Sequence, residues 1–343
     1  MAQQTSSLLS VENEDNVVQR TKSFLWRHGP LLTTFLIFVL AYYIGSRLYP
    51  AMQKPQVFFN LFINNGSLLL VSIGMTMVIL TGGIDLSVGG VLALTSVASA
   101  ALLEQGMNPI LVLVLMVLMG IVFGILLGII IQYLKVQPFI VTLMGLFFAR
   151  GMAYIISLTS VSIKDAFYKS LALTPIYLPF FDEKTYIYAP TLVAPIMLLV
   201  AIYLVFFTRF GRTIYAIGNN EQSALLMGLS VARTKVAVYA FSGLCSALAG
   251  IVFSMSLLAG YGQFATGMEL DAIASVVMGG TSLSGGVGNV IGTLFGVLIN
   301  GTIVSILQFN GTLSSWWTRI GVGLLTLIFI GVQSLFYVRQ KHS

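Results

Sequence analysis

A single carboxylate stands in an otherwise uncharged run, Leu80-Thr81-Gly82-Gly83-Ile84-Asp85-Leu86-Ser87-Val88-Gly89-Gly90. Unpaired in hydrocarbon it costs about 2.5–3.5 kcal/mol, so Asp85 must face a cavity, a partner or the membrane interface. The flanking glycines permit a tight turn, and Asp85 can either cap a helix starting at Leu86 or act directly in a pathway. Arg150, followed by Gly151, is the second anomaly, because it lies too deep in an apolar stretch for easy snorkelling. A buried guanidinium needs acceptors, and pairing with Asp85 is the expectation. Glu269 and Asp271 stand at the expected outer edge of a short segment, where a helix N-terminus favours acids. Asn64, Asn65, Thr76, Asn289, Asn300 and Gln308 offer hydrogen bonds to a hydroxylated solute or to neighbouring helices.

Several chemistries are excluded. The histidines are His28 and His342, near the two ends of the chain, so no imidazole is available for a proton relay or a Ser-His-Asp triad. Cys245 is the single cysteine, which rules out an internal disulfide or a multi-cysteine metal site and fits a small packing residue. Neither Gly-x-x-x-x-Gly-Lys-Ser/Thr nor His-Glu-x-x-His occurs. No catalytic residue and no metal site is expected, and the chain cannot be its own P-loop motor.

The elements that must position these residues follow from bulk chemistry. Of 343 residues, 57% are apolar and 8% charged, against about 25% charged in a soluble domain. So few charges cannot make a water-facing surface, so the solvent must be lipid, and the 34 glycines suit closely packed membrane helices. A spanning helix needs about 20 apolar residues. Ten stretches are found, at 31–49, 60–81, 86–103, 109–133, 138–158, 189–208, 236–258, 271–284, 288–308 and 319–338. The eighth is too short to cross and reads as a half-helix or a broken segment lining a cavity. The expected fold class is therefore an all-α integral membrane protein of about ten transmembrane helices. Its glycine-rich broken segments include a weak repeat: Gly82–Gly89 aligns with Gly279–Gly286 at five of eight positions.

Residues 1–28 form a polar cytoplasmic tail, not a signal peptide, and residues 29–340 a single transmembrane domain. Arg20, Lys22 and Arg27 precede the first span and place the N-terminus in the cytoplasm. Ten crossings put Lys135, Arg209, Arg212, Arg233, Lys235, Arg339 and Lys341 on that side as well, with both termini cytoplasmic. The 159–188 loop falls outside. Basic residues placed this way answer to the bilayer and the positive-inside rule, so no nucleic acid is expected. The 209–235 loop is expected to carry a short helix at 219–228, capped by Asn219, with Gln222 at the reciprocal position and Gly228 at its stop. Ala224, Leu225 and Met227 are apolar residues that such a helix cannot bury alone. A groove on a partner accounts for them; a membrane-surface helix is the alternative.

At these residues the chain resembles the permeases of the ribose, xylose, arabinose and galactofuranose importers of the ATP-binding-cassette class, over nearly its whole length. The motifs are Thr81–Gly90, Gly211-Arg212 through Gly228-Leu229, Asp271–Gly288 and Arg150-Gly151. Asn220–Gly228, Met268–Ala274 and Gly311–Arg319 are most similar to the second galactofuranose permease. The resemblance implies a non-catalytic inner-membrane subunit of a bacterial sugar importer, working by alternating access. It implies a coupling role onto a cytoplasmic ATPase for Asn219, Asn220, Glu221, Ala224, Leu225, Met227 and Gly228. Gly82, Gly83, Asp85, Ser87, Gly89, Arg150, Gly279 and Gly280 become gating or family-motif residues, and Asn64, Asn65 and Asn300 candidates for the sugar path. No cofactor is expected in this chain, since ATP and Mg are bound by the partner ATPase. A second permease chain, as hetero- or homodimer, and a periplasmic sugar-binding protein are the other implied partners. The rival is an ion-coupled secondary transporter of a small polar solute, using Asp85, Glu269 or Arg150, but such a carrier has no need of a partner-docking helix.

Overall fold

The structure is a computed structural model. It describes residues 29–331 apart from 30, 180, 182–184, 312–316, 318–319, 322, 325–326 and 329–330. The polar tail and most of the tenth apolar stretch lie outside the described residues.

Apolar helices dominate because each satisfies its own backbone in lipid. In chain order they are α1 (Leu31–Leu48), α2 (Pro55–Leu80), α3 (Val88–Glu104), α4 (Pro109–Tyr133), α5 (Pro138–Ile156), α6 (Ala166–Leu173), α7 (Val193–Phe207), α8 (Arg209–Asn219), α9 (Glu221–Leu226), α10 (Val231–Leu257), α11 (Met268–Met278) and α12 (Val290–Asn310). Four short strands, β1 (Val161–Ser162), β2 (Pro175–Tyr177), β3 (Tyr186–Tyr188) and β4 (Ala259–Gly260), make two antiparallel pairs, β1 with β4 and β2 with β3. Among the described residues seven helices are long and apolar enough to cross a membrane; α3, at 17 residues, is slightly shorter. The chain is an all-α membrane protein.

Helix starts depart from the apolar counts where the first turn is polar. α2 begins at Pro55 and includes Gln56 and Asn60, and α10 begins at Val231 and includes Arg233 and Lys235. A count of apolar residues misses such turns, although backbone bonding runs through them.

α2 is the central post, with every residue from Gly66 to Leu80 buried. Around it pack α10, α12, α11 and α7. α4 shows the opposite design. Leu111, Val114, Leu118, Val122 and Leu126 on one face are exposed, as lipid requires, and Gly120, Gly124 and Gly128 on the other meet α10. A Cβ on Gly124 would overlap the Tyr239 carbonyl, and one on Gly120 the Gly243 carbonyl. This seam is a small-xxx-small contact that brings the two backbones together.

The bundle has two distinct ends. One carries α8, α9, the α4–α5 turn with Lys135, and the loops after α2 and α11. The other carries α6 and the four strands. There Gln56 trades hydrogen bonds with the Tyr186 main chain, and the Tyr168 and Ser254 hydroxyls meet at 2.7 Å. The expected shared side for Lys135 and the 209–235 loop, opposite 159–188, agrees with this arrangement.

Candidate functional site

The Thr81–Gly90 motif occupies the junction between α2 and α3. α2 ends with Gly82 at φ 77°, its N–H donating to Ile79 O (2.8 Å) and the Gly83 N–H to Val78 O (3.1 Å). α11 ends the same way. Gly280 sits at φ 90°, its N–H donating to Val277 O (2.9 Å) and the Thr281 N–H to Val276 O (3.2 Å). Both are Schellman closures, in which glycine takes the left-handed position at no Cβ cost. Gly82 thus corresponds to Gly280, one residue out of step with the alignment of Gly82 on Gly279, because backbone geometry and not residue identity fixes the equivalence. The two stretches also touch. The Gly286 N–H donates to Leu80 O (3.0 Å), a Cβ on Gly285 would stand 2.8 Å from Gly82 N, and Gly218 of α8 packs against both loops.

Asp85 is fully buried behind this junction. Its Oδ1 accepts from the Ser87 N–H (3.0 Å) and the Ser87 hydroxyl (2.6 Å), and its Oδ2 from the Ser242 hydroxyl of α10 (2.6 Å). The carboxylate does gather the start of α3, two residues nearer the N-terminus than a formal cap, since α3 begins at Val88 rather than Leu86. The pairing with Arg150 is overturned. The Arg150 guanidinium donates to the carbonyls of Gly262 (2.8 Å), Phe264 (3.2 Å) and Ala265 (3.4 Å) and to the Thr266 hydroxyl (3.1 Å). A planar fork suits several carbonyls of one bend, while hydroxyls and a backbone N–H serve Asp85.

Ser242 and Tyr239 were not singled out from the sequence. The available signal was a hydroxyl beside a glycine, Ser242-Gly243, within an apolar helix, which marks a close helix contact. The Tyr239 hydroxyl lies against Gly83 and has no hydrogen-bond partner among the described residues. Tyr239 also lines a cleft of about 210 Å³ with Thr81, Glu221 and Lys235.

The 209–235 loop holds two helices where one was expected. α8 ends at Asn219, whose amide donates back to Tyr215 O (3.0 Å), so Asn219 is not the cap. Asn220, in extended conformation, interrupts the helix and accepts the Ser223 N–H at 2.8 Å, capping α9. The extended backbone at Asn220 starts the new helix one residue later than expected. Gly228, at φ 75°, closes α9 as expected. Glu221 pairs with Lys235 of α10 at 2.6 Å. Tyr215 of α8 donates to Gly288 O (2.9 Å), and burial pushes its phenol up, so it stays a neutral donor. Ala224 is buried against Ile217 and Val231, whereas Leu225, Leu226 and Met227 are 62%, 84% and 67% exposed.

The other polar residues divide. Thr76 meets Thr293 hydroxyl to hydroxyl at 2.7 Å, linking α2 to α12. Asn289 caps α12 through the Ile291 N–H (2.8 Å). Asn65 donates to Leu61 O (2.8 Å) and sits against Gly301, Asn300 is buried, and Asn64 is exposed. Glu269 lies deeper than the expected outer edge. It abuts Gly89, whose neighbour Gly90 abuts Leu146 midway along α5. The chain descends as a non-helical loop before α11 starts, and that loop sets the depth.

A bundle of apolar helices with glycine seams, a buried carboxylate at its central junction and a short helix displaying apolar side chains at one end make an integral membrane protein. The chain belongs to the family described as branched-chain amino acid transport system / permease component, whose model matches residues 57–332. It is 44% identical to the inner membrane ABC transporter permease protein YjfF of Escherichia coli (strain K12), over 90% of this chain and 92% of that one. It is 38% identical to the fructose import permease protein FruG of Bifidobacterium longum (strain NCC 2705), over 89% and 90% of the two chains. It is also 38% identical to the ribose import permease protein RbsC of Bacillus subtilis (strain 168), over 88% and 91%. No solved structure matches.

Proposed function

We propose that this chain, as one transmembrane domain over 29–340, is the membrane-spanning permease subunit of an ATP-binding-cassette importer that carries a monosaccharide across the bacterial inner membrane. The observation that carries the assignment is α9. A six-residue helix is capped, closed and ion-paired to α10, yet presents Leu225, Leu226 and Met227 outward. Three large apolar side chains exposed side by side mark a docking surface. The occupant is the cytoplasmic ATPase, which binds the ATP and Mg.

Lys135, Arg209, Arg212, Arg233 and Lys235 gather at the α9 end, which supports a cytoplasmic position for that end and for both termini. The strand-bearing end then faces the periplasmic sugar-binding protein. A second permease chain, identical or different, completes the path. Gly82, Gly83, Asp85, Ser87 and Gly89, with Gly279 and Gly280, form the gate that α9 drives through α8 and α10, and Arg150 braces the loop above it. Asn64, Asn65 and Asn300 are candidate contacts for the sugar. The import of fructose and ribose in the relatives' names supports a monosaccharide; galactofuranose, or a related pentose or hexose, is our choice from the Asn220–Gly228 and Met268–Ala274 segments.

Purification from mild detergent tests the assignment, with wild type compared to a variant carrying Glu221→Ala, Leu225→Ala and Met227→Ala. An ATPase chain should accompany the wild type and be lost from the folded variant. A wild-type permease that brings down no ATPase would overturn it and favour the ion-coupled carrier.

A further inference from the structure

Between β4 and α11 the chain abandons regular structure at membrane depth. Arg150 lies twelve residues beyond Pro138 in α5, about 18 Å along the helix at 1.5 Å per residue. It holds the carbonyls of Gly262, Phe264 and Ala265 at that level. Non-helical backbone at such depth is tolerated only against protein or beside a water-filled cavity. The α5 side of the bend is protein, with Arg150 on the carbonyls and Tyr154 against Gly262. Gln263 and Thr266 of the same bend are exposed. On α5 around the same depth the exposed residues Phe147, Phe148, Gly151, Met152 and Ile155 are all apolar. Two surfaces at one depth with opposite chemistry face different solvents.

We infer that the 261–269 segment is a wall of the aqueous solute path and that Gln263 and Thr266 present hydrogen-bonding groups to a polyhydroxylated solute. The inference rests on the importer assignment above and names residues of its path. Glu269 stands at the lower edge of this wall, where its Oε2 is enclosed and accepts no hydrogen bond among the described residues. A Cβ on Gly89 would overlap that oxygen, so glycine leaves room for the carboxylate. Enclosed there, this oxygen is closed to a passing solute, whereas the exposed Gln263 amide offers both a donor and an acceptor. Thr266 fixes the height of the wall, because its hydroxyl accepts from Arg150 while donating to Gln263 O (2.8 Å).

Cysteine accessibility decides the matter in the assembled complex in native membranes. The single native cysteine, Cys245, is buried and gives little background. Gln263→Cys should react with a water-soluble methanethiosulfonate reagent at least about tenfold faster than Phe147→Cys, which faces hydrocarbon. Thr266→Cys is the second probe if Gln263→Cys does not accumulate. Thiols at 263 and 266 that react no faster than at 147, in a complex that retains its ATPase, overturn the proposal and leave the importer assignment standing. Loss of the ATPase from the wild type overturns the assignment itself.

Discussion

Replacing Gly124 with alanine puts a methyl group into the α4–α10 seam, and the geometry sets the cost. The new Cβ would stand 2.8 Å from the Tyr239 carbonyl carbon and 2.9 Å from Ala240 Cα, with the carbonyl oxygen nearer still. These are main-chain atoms of a helix, so no side chain can rotate away. The helices must part by roughly 1 Å, and overpacking of this kind costs about 1–3 kcal/mol. Alanine returns about 1 kcal/mol of helix propensity, leaving a net loss of up to about 2 kcal/mol. Gly66→Ala is the matched control, because its Cβ would meet only Val252 Cγ1, at an ordinary 3.8 Å. Thermal unfolding of the purified permease should show Gly124→Ala below the wild type, at about 2–4 °C per kcal/mol. Gly66→Ala should lie at or above the wild type. Equal midpoints for the two variants would refute the close-packed seam.

Ser242→Ala removes one of three donors to a buried carboxylate and should cost about 1.5–3 kcal/mol in the same melt, with Ser242→Thr recovering part of it. Arg150→Lys keeps the charge but not the planar fork on three carbonyls, so it should depress transport at unchanged expression. The exchange of Asp85→Arg with Arg150→Asp should rescue neither single variant. Lys235→Ala breaks an ion pair whose Glu221 partner is 44% exposed; the melt should move by less than about 1 kcal/mol. Thr293→Val loses a hydroxyl contact between α2 and α12 and should cost roughly 0.6 kcal/mol.

Much of the fold was legible because lipid leaves the backbone few options. The stretch at 109–133 coincides with α4, apolar along its length and bounded by Asn108-Pro109. The short eighth stretch is α11, at 11 residues, as its length required. Pairing was less legible. Asp85 and Arg150 are opposite charges in apolar surroundings, and charge alone suggested a contact. Their partners are hydroxyls and carbonyls that carry no signal in a single sequence, since Ser242 is one serine among many and every residue has a carbonyl. α8 was hidden by its polar content, which reads as loop wherever burial is supplied by segments distant in sequence, here the end of α2 at Leu80 and the loop through Gly286.

α10 runs unbroken for 27 residues, about 40 Å at 1.5 Å per residue. Lys235 near one end grips α9, and beyond the other end β4 is stitched to β1 of the 159–188 loop. Gly243, one of three close contacts with α4, falls almost at the midpoint. A pivot at Gly243 would make this helix a balanced lever. A tilt of about 10° there would swing each end about 3.5 Å in opposite directions. A push delivered at α9 would reach the far rim of the bundle with its size preserved and its sign reversed.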